Sequence, residues 1–282
     1  MPPHADARPT LPPMASTPLI AFIGGGNMAS AIIGGLVKAG RPSASIHVVE
    51  PLAAQRDKLA QAYGVAAEPA AGDALRQAAT VVWAVKPQSF AEAAAACAGR
   101  TGQALQVSVM AGTTSDTIAR ATGGARIVRA MPNTPALIGL GIAGLFARPE
   151  VNTAARAEAE ALFAPTGQSL WVEREAELDA VTALSGSGPA YMFYVIEAMM
   201  QAATEMGLSS DQGRQLAQAT MAGAAALSAA SPLHPSELRA QVTSKGGTTH
   251  AAITSLDDSG VKAAFVKAIH AARTRAEELG RG

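Results

Sequence analysis

An apolar run that stops abruptly at three glycines constrains the fold of this chain more than any other stretch. Residues 19–23 read Leu-Ile-Ala-Phe-Ile, residues 24–26 are all glycine, and a helix-compatible stretch begins at Asn27. Glycines let the backbone turn sharply and approach a ligand closely, and the free N–H groups of a new helix point at an anion. With Ala29 the spacing is G-x-G-x-x-A, a form of the dinucleotide fingerprint. The stretch therefore predicts a strand, a phosphate-binding turn and a helix, with a tight turn that binds nothing as the alternative.

Strand-like and helix-like stretches alternate from residue 18 to about 174, which predicts a doubly wound α/β domain. We expect strands at 19–23, 46–50, 64–66, 81–85, 105–110, 126–130, 141–147 and 169–172. The run 81–85 is continuously apolar, as in a strand buried on both faces of a parallel sheet. Beyond residue 175 only helical stretches follow, at 175–184, 189–206, 210–229, 235–242, 248–256 and 261–279.

This alternation predicts three segments along the chain. Residues 1–17 hold five prolines and no apolar periodicity, which indicates a disordered tail within which Met14 is an alternative start to Met1. Residues 18–174 form the predicted dinucleotide-binding domain. Residues 175–282 form an all-helical domain with little interior of its own, and dimerisation is the natural way to bury its apolar faces.

The composition excludes several classes of function. The 282 residues carry 22 basic and 22 acidic side chains, and a formal net charge of zero argues against nucleic-acid binding. No apolar window reaches the length of a membrane-spanning helix. The histidines are scattered and no CxxC or HExxH motif occurs, so no metal site is expected. The single cysteine, Cys97, cannot form an internal disulfide, which fits a reducing cytoplasm and a small buried core residue.

Polar side chains stand where several predicted strands end, and ligands bind at the carboxyl ends of strands in open α/β sheets. Glu50 has the position of the ribose-binding acid, which would favour a free 2′-hydroxyl, although Arg56 could offset part of its charge. A solvated glutamate is the alternative, so the choice between NADH and NADPH stays open. Lys86 is a candidate to contact the cofactor or an anion, and Ser89 to cap the next helix. Asn133, between two prolines, suits a nicotinamide carboxamide or the substrate, with a plain rigid turn as the alternative.

Two runs rich in hydroxyls and glycines precede helices in the second half. Residues 185–191 read S-G-S-G-P-A-Y, and residues 241–250 read Q-V-T-S-K-G-G-T-T-H. Such a helix start offers N–H groups and hydroxyls to a substrate carboxylate, although N-capping is the more frequent use of Ser and Thr. One cap needs one hydroxyl, and here four surround two glycines, so the second run predicts a substrate site. We expect it to face the first glycine turn across one cleft, where a hydride transfer needs only alignment of two reactants.

The run 237–249, E-L-R-A-Q-V-T-S-K-G-G-T-T, resembles the signature of the pyrroline-5-carboxylate reductase family. The resemblance covers nearly the whole chain after residue 17 and includes the glycine turn, the V-K-P-Q turn at 85–88, the M-P-N-T-P loop at 131–135 and the run 185–191. It implies reduction of the cyclic imine 1-pyrroline-5-carboxylate to L-proline, usually with NADPH and sometimes with NADH. It also implies a Rossmann-type N-terminal domain and a helical C-terminal domain that dimerises by interleaving, with further assembly to decamers in many members.

Carried over by position, the resemblance implies two sets of site residues. The cofactor contacts would be Gly24, Gly25, Gly26, Asn27 and Met28 at the pyrophosphate, Ala84, Val85, Lys86 and Pro87 along the nicotinamide half, and Glu50 and Asn133. The substrate contacts would be Gly246, Gly247, Thr248, Thr249 and Ser187. Among these, Thr249 would be the catalytic residue, hydrogen-bonded to the ring nitrogen. Two departures stand out: Lys245 replaces a proline found in many members, and Glu50 disfavours the NADPH that the resemblance implies.

Two other functions fit parts of the sequence. A β-hydroxyacid-type dehydrogenase shares the N-terminal architecture but is known for a catalytic lysine on a helix of its second domain. The candidates Lys245, Lys262 and Lys267 do not stand in a matching context. A non-catalytic NADPH-binding sensor would need no hydroxyl-rich second site. The motif set favours the reductase over both.

Overall fold

The computed structural model describes residues 17–281. The predicted tail therefore lies outside the described residues except for Thr17, as does the alternative start at Met14. Eight strands are present: β1 Leu19–Ile23, β2 Ile46–Val49, β3 Ala67–Glu68, β4 Ala78–Trp83, β5 Leu105–Ser108, β6 Ile127–Met131, β7 Gly141–Ala147 and β8 Gly167–Trp171. The α-helices are α1 Asn27–Lys38, α2 Ala53–Tyr63, α3 Phe90–Ala96, α4 Ser115–Thr122, α5 Thr153–Phe163, α6 Glu177–Val181, α7 Gly188–Glu205, α8 Ser210–Ala230, α9 Pro235–Gln241, α10 Thr248–Asp258 and α11 Val261–Arg281.

The strands form one sheet in the order β3-β2-β1-β4-β5-β6-β7-β8. Every neighbouring pair is parallel except β6 with β7, which is antiparallel. From β1 the chain first builds outward through β2 and β3, then returns to add β4 on the other side of β1. The strand order thus reverses between β1 and β4, and a crevice at such a switch point is where doubly wound sheets bind ligands. The predicted doubly wound sheet is confirmed.

The central strands are apolar throughout because helices cover both faces of the sheet. Alternate residues of β1 point to opposite sides: Phe22 joins a core beneath α1 and α5, and Ala21 joins a core with Trp83 beneath α3 and α4. Phe22, Ala21 and Trp83 are fully buried. At roughly 25 cal/mol per Å² of apolar surface removed from water, these two cores are the main stabilising contribution to the sheet. They hold the carboxyl ends of the strands, and the loops that follow them, in fixed positions.

Several predicted bounds shift by a few residues, and three predictions differ further from the structure. The third strand is Ala67–Glu68 rather than 64–66, because Gly64 adopts φ +65° and ends α2. The helix predicted at 175–184 is α6 followed by a π-helical turn, Thr182–Gly186. Ser89 does not cap α3 with its side chain, since its backbone is already helical and its hydroxyl makes no capping hydrogen bond.

The region after β8 is helical throughout, as predicted. Helices α7 and α8 pack against each other, and α11 packs against α6 and the π-helical turn. Beyond Leu178, the buried apolar residues among those described are four alanines, Ala183, Ala203, Ala217 and Ala276. Within residues 17–281, no helix combines the length and apolarity needed to cross a membrane.

Candidate active site

The glycine turn after β1 is fixed between the ends of two neighbouring strands. Gly24 donates its N–H to the Val49 carbonyl at 2.8 Å, and Ala84 donates to the Ile23 carbonyl at 2.8 Å. Gly24 adopts φ +94°, and a Cβ there would lie 2.7 Å from the Ala84 carbonyl oxygen. A larger residue therefore fits neither the backbone angle nor the space, which explains the glycine at this position.

The first turn of α1 leaves its backbone donors open. Gly26 is the N-cap residue, no side chain caps the helix, and a Cβ on Gly26 would meet nothing within 4 Å. Gly26 and Asn27 are exposed, whereas Met28 packs against the core and Ala29 is fully buried. The first N–H groups of a helix have no partner within it and favour an anion. This helix start fits the pyrophosphate of a dinucleotide.

Glu50 lies beneath the same turn and not in solvent, so the solvated alternative is wrong. Its Oε2 accepts a hydrogen bond from the Gly25 N–H at 2.8 Å, and its Oε1 accepts one from the Leu52 N–H at 2.9 Å. Only 7% of Glu50 is exposed. The Gly25 N–H, which the resemblance assigns to the pyrophosphate, is thus already engaged by this carboxylate.

A cavity of about 330 Å³ opens beside the turn, between the ends of β1, β2 and β4. Its lining includes Gly24, Val49, Val85, Glu92 and Cys97. Cys97 is 1% exposed, and burial raises the pKa of its thiol, so it is a neutral core residue as predicted. An apolar cleft at this place fits the adenosine half of a dinucleotide.

The turn after β4 presents its side chains to solvent. Ala84 and Val85 are half-buried, while Lys86 and Pro87 are exposed. No hydrogen bond or ion pair engages the Lys86 ammonium within the described part of the chain. It is therefore free to approach an anionic group at the carboxyl edge of the sheet.

Asn133 is more constrained than the sequence indicates. Its Oδ1 accepts the Ile142 N–H at 3.0 Å, its Nδ2 donates to the Ser185 carbonyl at 3.2 Å, and the residue is 8% exposed. The side chain thus joins the loop after β6 to the π-helical turn. Such turns are frequent at functional sites. Because both ends of its amide are hydrogen-bonded within the chain, Asn133 fits the rigid-turn alternative better than the predicted contact with a nicotinamide carboxamide.

The second predicted helix start, at α10, resembles the first in construction. Its N-cap residue is Gly247, no side chain caps it, and Gly246 adopts φ +75° with open space around it. The Gly247 N–H donates to the Ser244 carbonyl at 3.0 Å. Thr248 is exposed, Thr249 is half-buried, and neither hydroxyl makes a hydrogen bond within the described residues. The N-capping alternative is therefore wrong for α10, and its hydroxyls and first N–H groups are open.

The single chain does not join the two helix starts. The backbone hydrogen bonds of residues 243–251 stay within α9, α10 and the turn between them. Lys245 and Gly246 are exposed, and Ser187, which precedes α7, is half-buried with no capping hydrogen bond from its hydroxyl. The contacts within the described part of one chain therefore do not bring the two glycine turns to opposite sides of one cleft, where the sequence predicted them.

Sequence reasoning missed one polar cluster, where the sheet meets the C-terminal helices. Glu175 accepts from the Ser115 N–H and hydroxyl, both at 2.6 Å, and from Arg129 Nη1 at 2.9 Å. Burial raises the pKa of the nearby Asp179 carboxyl, and Glu277 adds to this while Arg129 opposes it. An arginine inside the apolar run 126–130 was the signal in the sequence, because a buried guanidinium needs a partner.

Two family models match separate parts of the chain. A family model described as NADP oxidoreductase, coenzyme F420-dependent, matches residues 19–112, and one described as pyrroline-5-carboxylate reductase dimerisation matches residues 175–279. A pyrroline-5-carboxylate reductase of Pseudomonas aeruginosa is 42% identical over 266 residues, which cover 94% of this chain and 97% of the relative.

Solved structures of pyrroline-5-carboxylate reductases match nearly the whole chain. A pyrroline-5-carboxylate reductase from Coxiella burnetii matches with a TM-score of 0.87 and 36% identity, over 94% of this chain and 99% of the other. A Plasmodium falciparum pyrroline carboxylate reductase, solved with NADP bound, matches with a TM-score of 0.83 over 93% of this chain and 98% of the other. Its identity of 24% shows the shared fold alone.

A doubly wound sheet with an open glycine helix start at its switch point is the arrangement that binds a dinucleotide. Together with the family matches, it defines an oxidoreductase that uses a nicotinamide dinucleotide. The helical region that follows carries the match to a dimerisation domain. With relatives at 42% and 40% identity over more than nine-tenths of its length, the chain belongs to the pyrroline-5-carboxylate reductase family.

Proposed function

We propose that this chain reduces 1-pyrroline-5-carboxylate to L-proline, the last step of proline biosynthesis, by hydride transfer from a nicotinamide dinucleotide. The observation that carries the proposal is the start of α10. There the signature of the family coincides with open backbone donors and unpaired hydroxyls. A substrate that is both a carboxylate and an imine needs these two kinds of group side by side.

The proposed binding of the substrate carboxylate uses backbone donors at this helix start. The N–H groups of Gly246 and Thr248 would bind the anion, and the partial positive charge of the helix N-terminus would favour it. Gly247 would hold the turn in shape through its hydrogen bond to Ser244. Ser187, before α7, is the further hydroxyl that we assign to the substrate.

Thr249 is the proposed catalytic residue. When bound, the reduced nicotinamide supplies a hydride to the carbon of the C=N bond. The protonated ring nitrogen would donate its N–H to the Thr249 hydroxyl oxygen, which orients the ring for attack. As the C–H bond forms, the π electrons of the C=N bond become a lone pair on nitrogen, and the Thr249 hydroxyl can donate to that lone pair. A protonated imine is already an electrophile, so no stronger acid is required.

The proposed cofactor contacts lie along the carboxyl edge of the sheet. The pyrophosphate would take the N–H groups of Gly26, Asn27 and Met28, while Gly24 and Gly25 keep the turn closed. The segment Ala84 to Pro87 would border the nicotinamide half, and Lys86 would add a positive charge there. Asn133 would act indirectly, by holding its loop against the π-helical turn. NADPH is the usual reductant that the resemblance implies and NADH the occasional one, and the glycine turn would contact the pyrophosphate that they share.

The proposed active unit is a homodimer, with decamers as a further assembly. The α10 start would then meet the glycine turn of the dinucleotide site only when two chains associate, which would account for its exposure in one chain. Sedimentation analysis at micromolar concentration tests this proposal, and a monomer would contradict it. A cytoplasmic location is proposed on the buried, unpaired Cys97 alone.

The experiment that tests the function follows the absorbance of NADPH and NADH separately, with purified protein and 1-pyrroline-5-carboxylate. We expect substrate-dependent oxidation and L-proline as the product. Hydroxy acids in the reverse direction are the matched control for a β-hydroxyacid-type dehydrogenase. Cofactor binding without oxidation by the imine would instead favour a non-catalytic sensor and refute the proposal.

A further inference from the structure

The Glu50 carboxylate is held in place at the carboxyl end of β2 by two backbone donors. Its two oxygens accept the N–H groups of Gly25 and Leu52 at 2.8 and 2.9 Å. An ionised carboxylate has about four lone-pair sites, so each oxygen can accept one more hydrogen bond. The acid at this position of a doubly wound fold accepts the ribose 2′-hydroxyl of a bound dinucleotide.

We infer that Glu50 makes this chain select NADH over NADPH. The inference rests on the proposed function, because it concerns the reductant of the same site. NADPH carries a phosphate on the 2′ oxygen. That phosphate would lie against a carboxylate that cannot turn away without breaking its hydrogen bonds to two backbone N–H groups, one of them buried and the other partly buried. Like charges repel more strongly in a partly buried site than in water. The selection of NADH departs from the NADPH that the family resemblance implies.

The arginine nearest to Glu50 along the chain already has one of its guanidinium nitrogens engaged. Arg56 directs Nη1 at the carbonyl oxygens of Glu50 and Pro51, at 2.8 and 2.7 Å. In enzymes that use NADP, an arginine near this position accommodates the 2′-phosphate. Here the guanidinium secures the backbone at the end of β2, and to grip a phosphate with that nitrogen it would have to give up both contacts.

The cavity beside the turn offers no positive charge either. Among the described residues, two ionisable ones, Cys97 and Glu92, line this cavity, and no lysine or arginine does. A phosphate monoester carries nearly two negative charges at neutral pH. A 2′-phosphate at Glu50 would therefore meet a carboxylate and an arginine whose Nη1 already has two partners, and the cavity lining would supply no cation to balance its charge. A 2′-hydroxyl would instead donate to Glu50.

The primary test is binding of the two reduced cofactors to the purified wild-type chain, without substrate, by nicotinamide fluorescence and calorimetry. We expect the Kd for NADH to be lower than that for NADPH by about tenfold or more, the size of effect that one close charge repulsion produces. Tighter binding of NADPH than of NADH would overturn the inference.

Two variants show whether Glu50 is the cause. Glu50→Gln removes the charge and keeps an acceptor oxygen, and we expect the ratio of the two Kd values to move toward NADPH by about tenfold. Glu68→Gln is the matched control: it removes a charge from the neighbouring strand β3, where the side chain is 52% exposed, and should leave the ratio unchanged. An equal shift in both variants would overturn the assignment to Glu50. If Glu50→Gln fails to fold, the wild-type ratio still tests the selection, because tighter binding of NADPH than of NADH overturns it.

The outcomes also separate this inference from the proposed function. A chain that prefers NADH but does not oxidise it with 1-pyrroline-5-carboxylate would refute the reductase and leave the selection by Glu50 standing. A chain that reduces the imine and prefers NADPH would refute only the selection. A chain that binds neither cofactor would refute both.

Discussion

Gly24 and Gly26 in the glycine turn should respond differently to substitution by alanine, because the two glycines are required for different reasons. Gly24→Ala places a side chain at φ +94°, with its Cβ 2.7 Å from the Ala84 carbonyl oxygen. The backbone angle costs about 1–2 kcal/mol, and the forced shift of packed backbone about 1–3 kcal/mol more. The free energy of unfolding should fall by roughly 2–5 kcal/mol, which lowers the Tm of a chain of this size by about 5–15 °C.

Gly26→Ala is the matched control two residues away. Gly26 has φ −65° and open space at its Cβ position, so alanine fits the folded chain and restricts the unfolded one. Its Tm without ligand should equal or slightly exceed that of the wild type. The new methyl group would, however, stand where the pyrophosphate is proposed to bind, so the Kd for reduced cofactor should rise at least about tenfold, as expected for a displaced anion contact.

Thermal melts without ligand and fluorescence titrations with NADH and NADPH measure the two effects separately. A Gly24→Ala chain that melts like the wild type would refute the argument from backbone angle and close contact. A Gly26→Ala chain that binds both cofactors as tightly as the wild type would show that the start of α1 does not hold the pyrophosphate.

Three further predictions concern catalysis, the core and pH. Thr249→Ala should lower kcat about ten- to a hundredfold and leave the cofactor Kd unchanged, while Thr249→Ser retains the rate; equal rates in all three would remove this hydroxyl from the mechanism. The buried Trp83 indole N–H donates to Gln106 Oε1 at 2.7 Å. Gln106→Leu leaves that N–H without a partner and should reduce the free energy of unfolding, measured in urea, by about 2–4 kcal/mol. Gln103→Leu, at an exposed position, should change it little. Burial raises the pKa of Asp179, so the folded chain loses stability as pH rises from the ordinary aspartate value through the raised one. Asp179→Asn should therefore raise the Tm at pH 7 and leave it unchanged at pH 3, and a lower Tm at pH 7 would contradict this.

The sheet could be predicted from the sequence because its local and long-range requirements agree. Runs such as 81–85 are apolar throughout, and only strands covered on both faces tolerate that. The bounds of these strands were wrong by a few residues where backbone geometry decides them. Gly64 is an example: a glycine reads as neutral in a strand pattern, and its left-handed conformation, which ends α2, becomes visible only in the structure.

The hydrogen-bond partners of the candidate site could not be predicted, because they depend on residues distant in the chain. Sequence spacing placed Glu50 at a strand end but could not show that Gly25 and Leu52 hold both its oxygens. In the same way, Asn133 stood between two prolines with no sign that Ser185, 52 residues later, would accept its amide. Patterns identify which element a residue belongs to, whereas the availability of a polar group depends on tertiary contacts.

The distribution of burial in the helical region links catalysis to assembly. Beyond residue 178 the described chain buries alanines but no large apolar side chain, while Phe193 and Tyr194 are 61% and 73% exposed. A region that leaves large aromatic groups in water gains little stability from its own interior, and association would remove this surface from solvent. The proposed substrate residues Thr248 and Thr249 lie in this same region. Under the proposed function, dimerisation both covers these apolar faces and brings the substrate-binding donors to the dinucleotide. Dilution to monomers should therefore remove activity while the sheet stays folded.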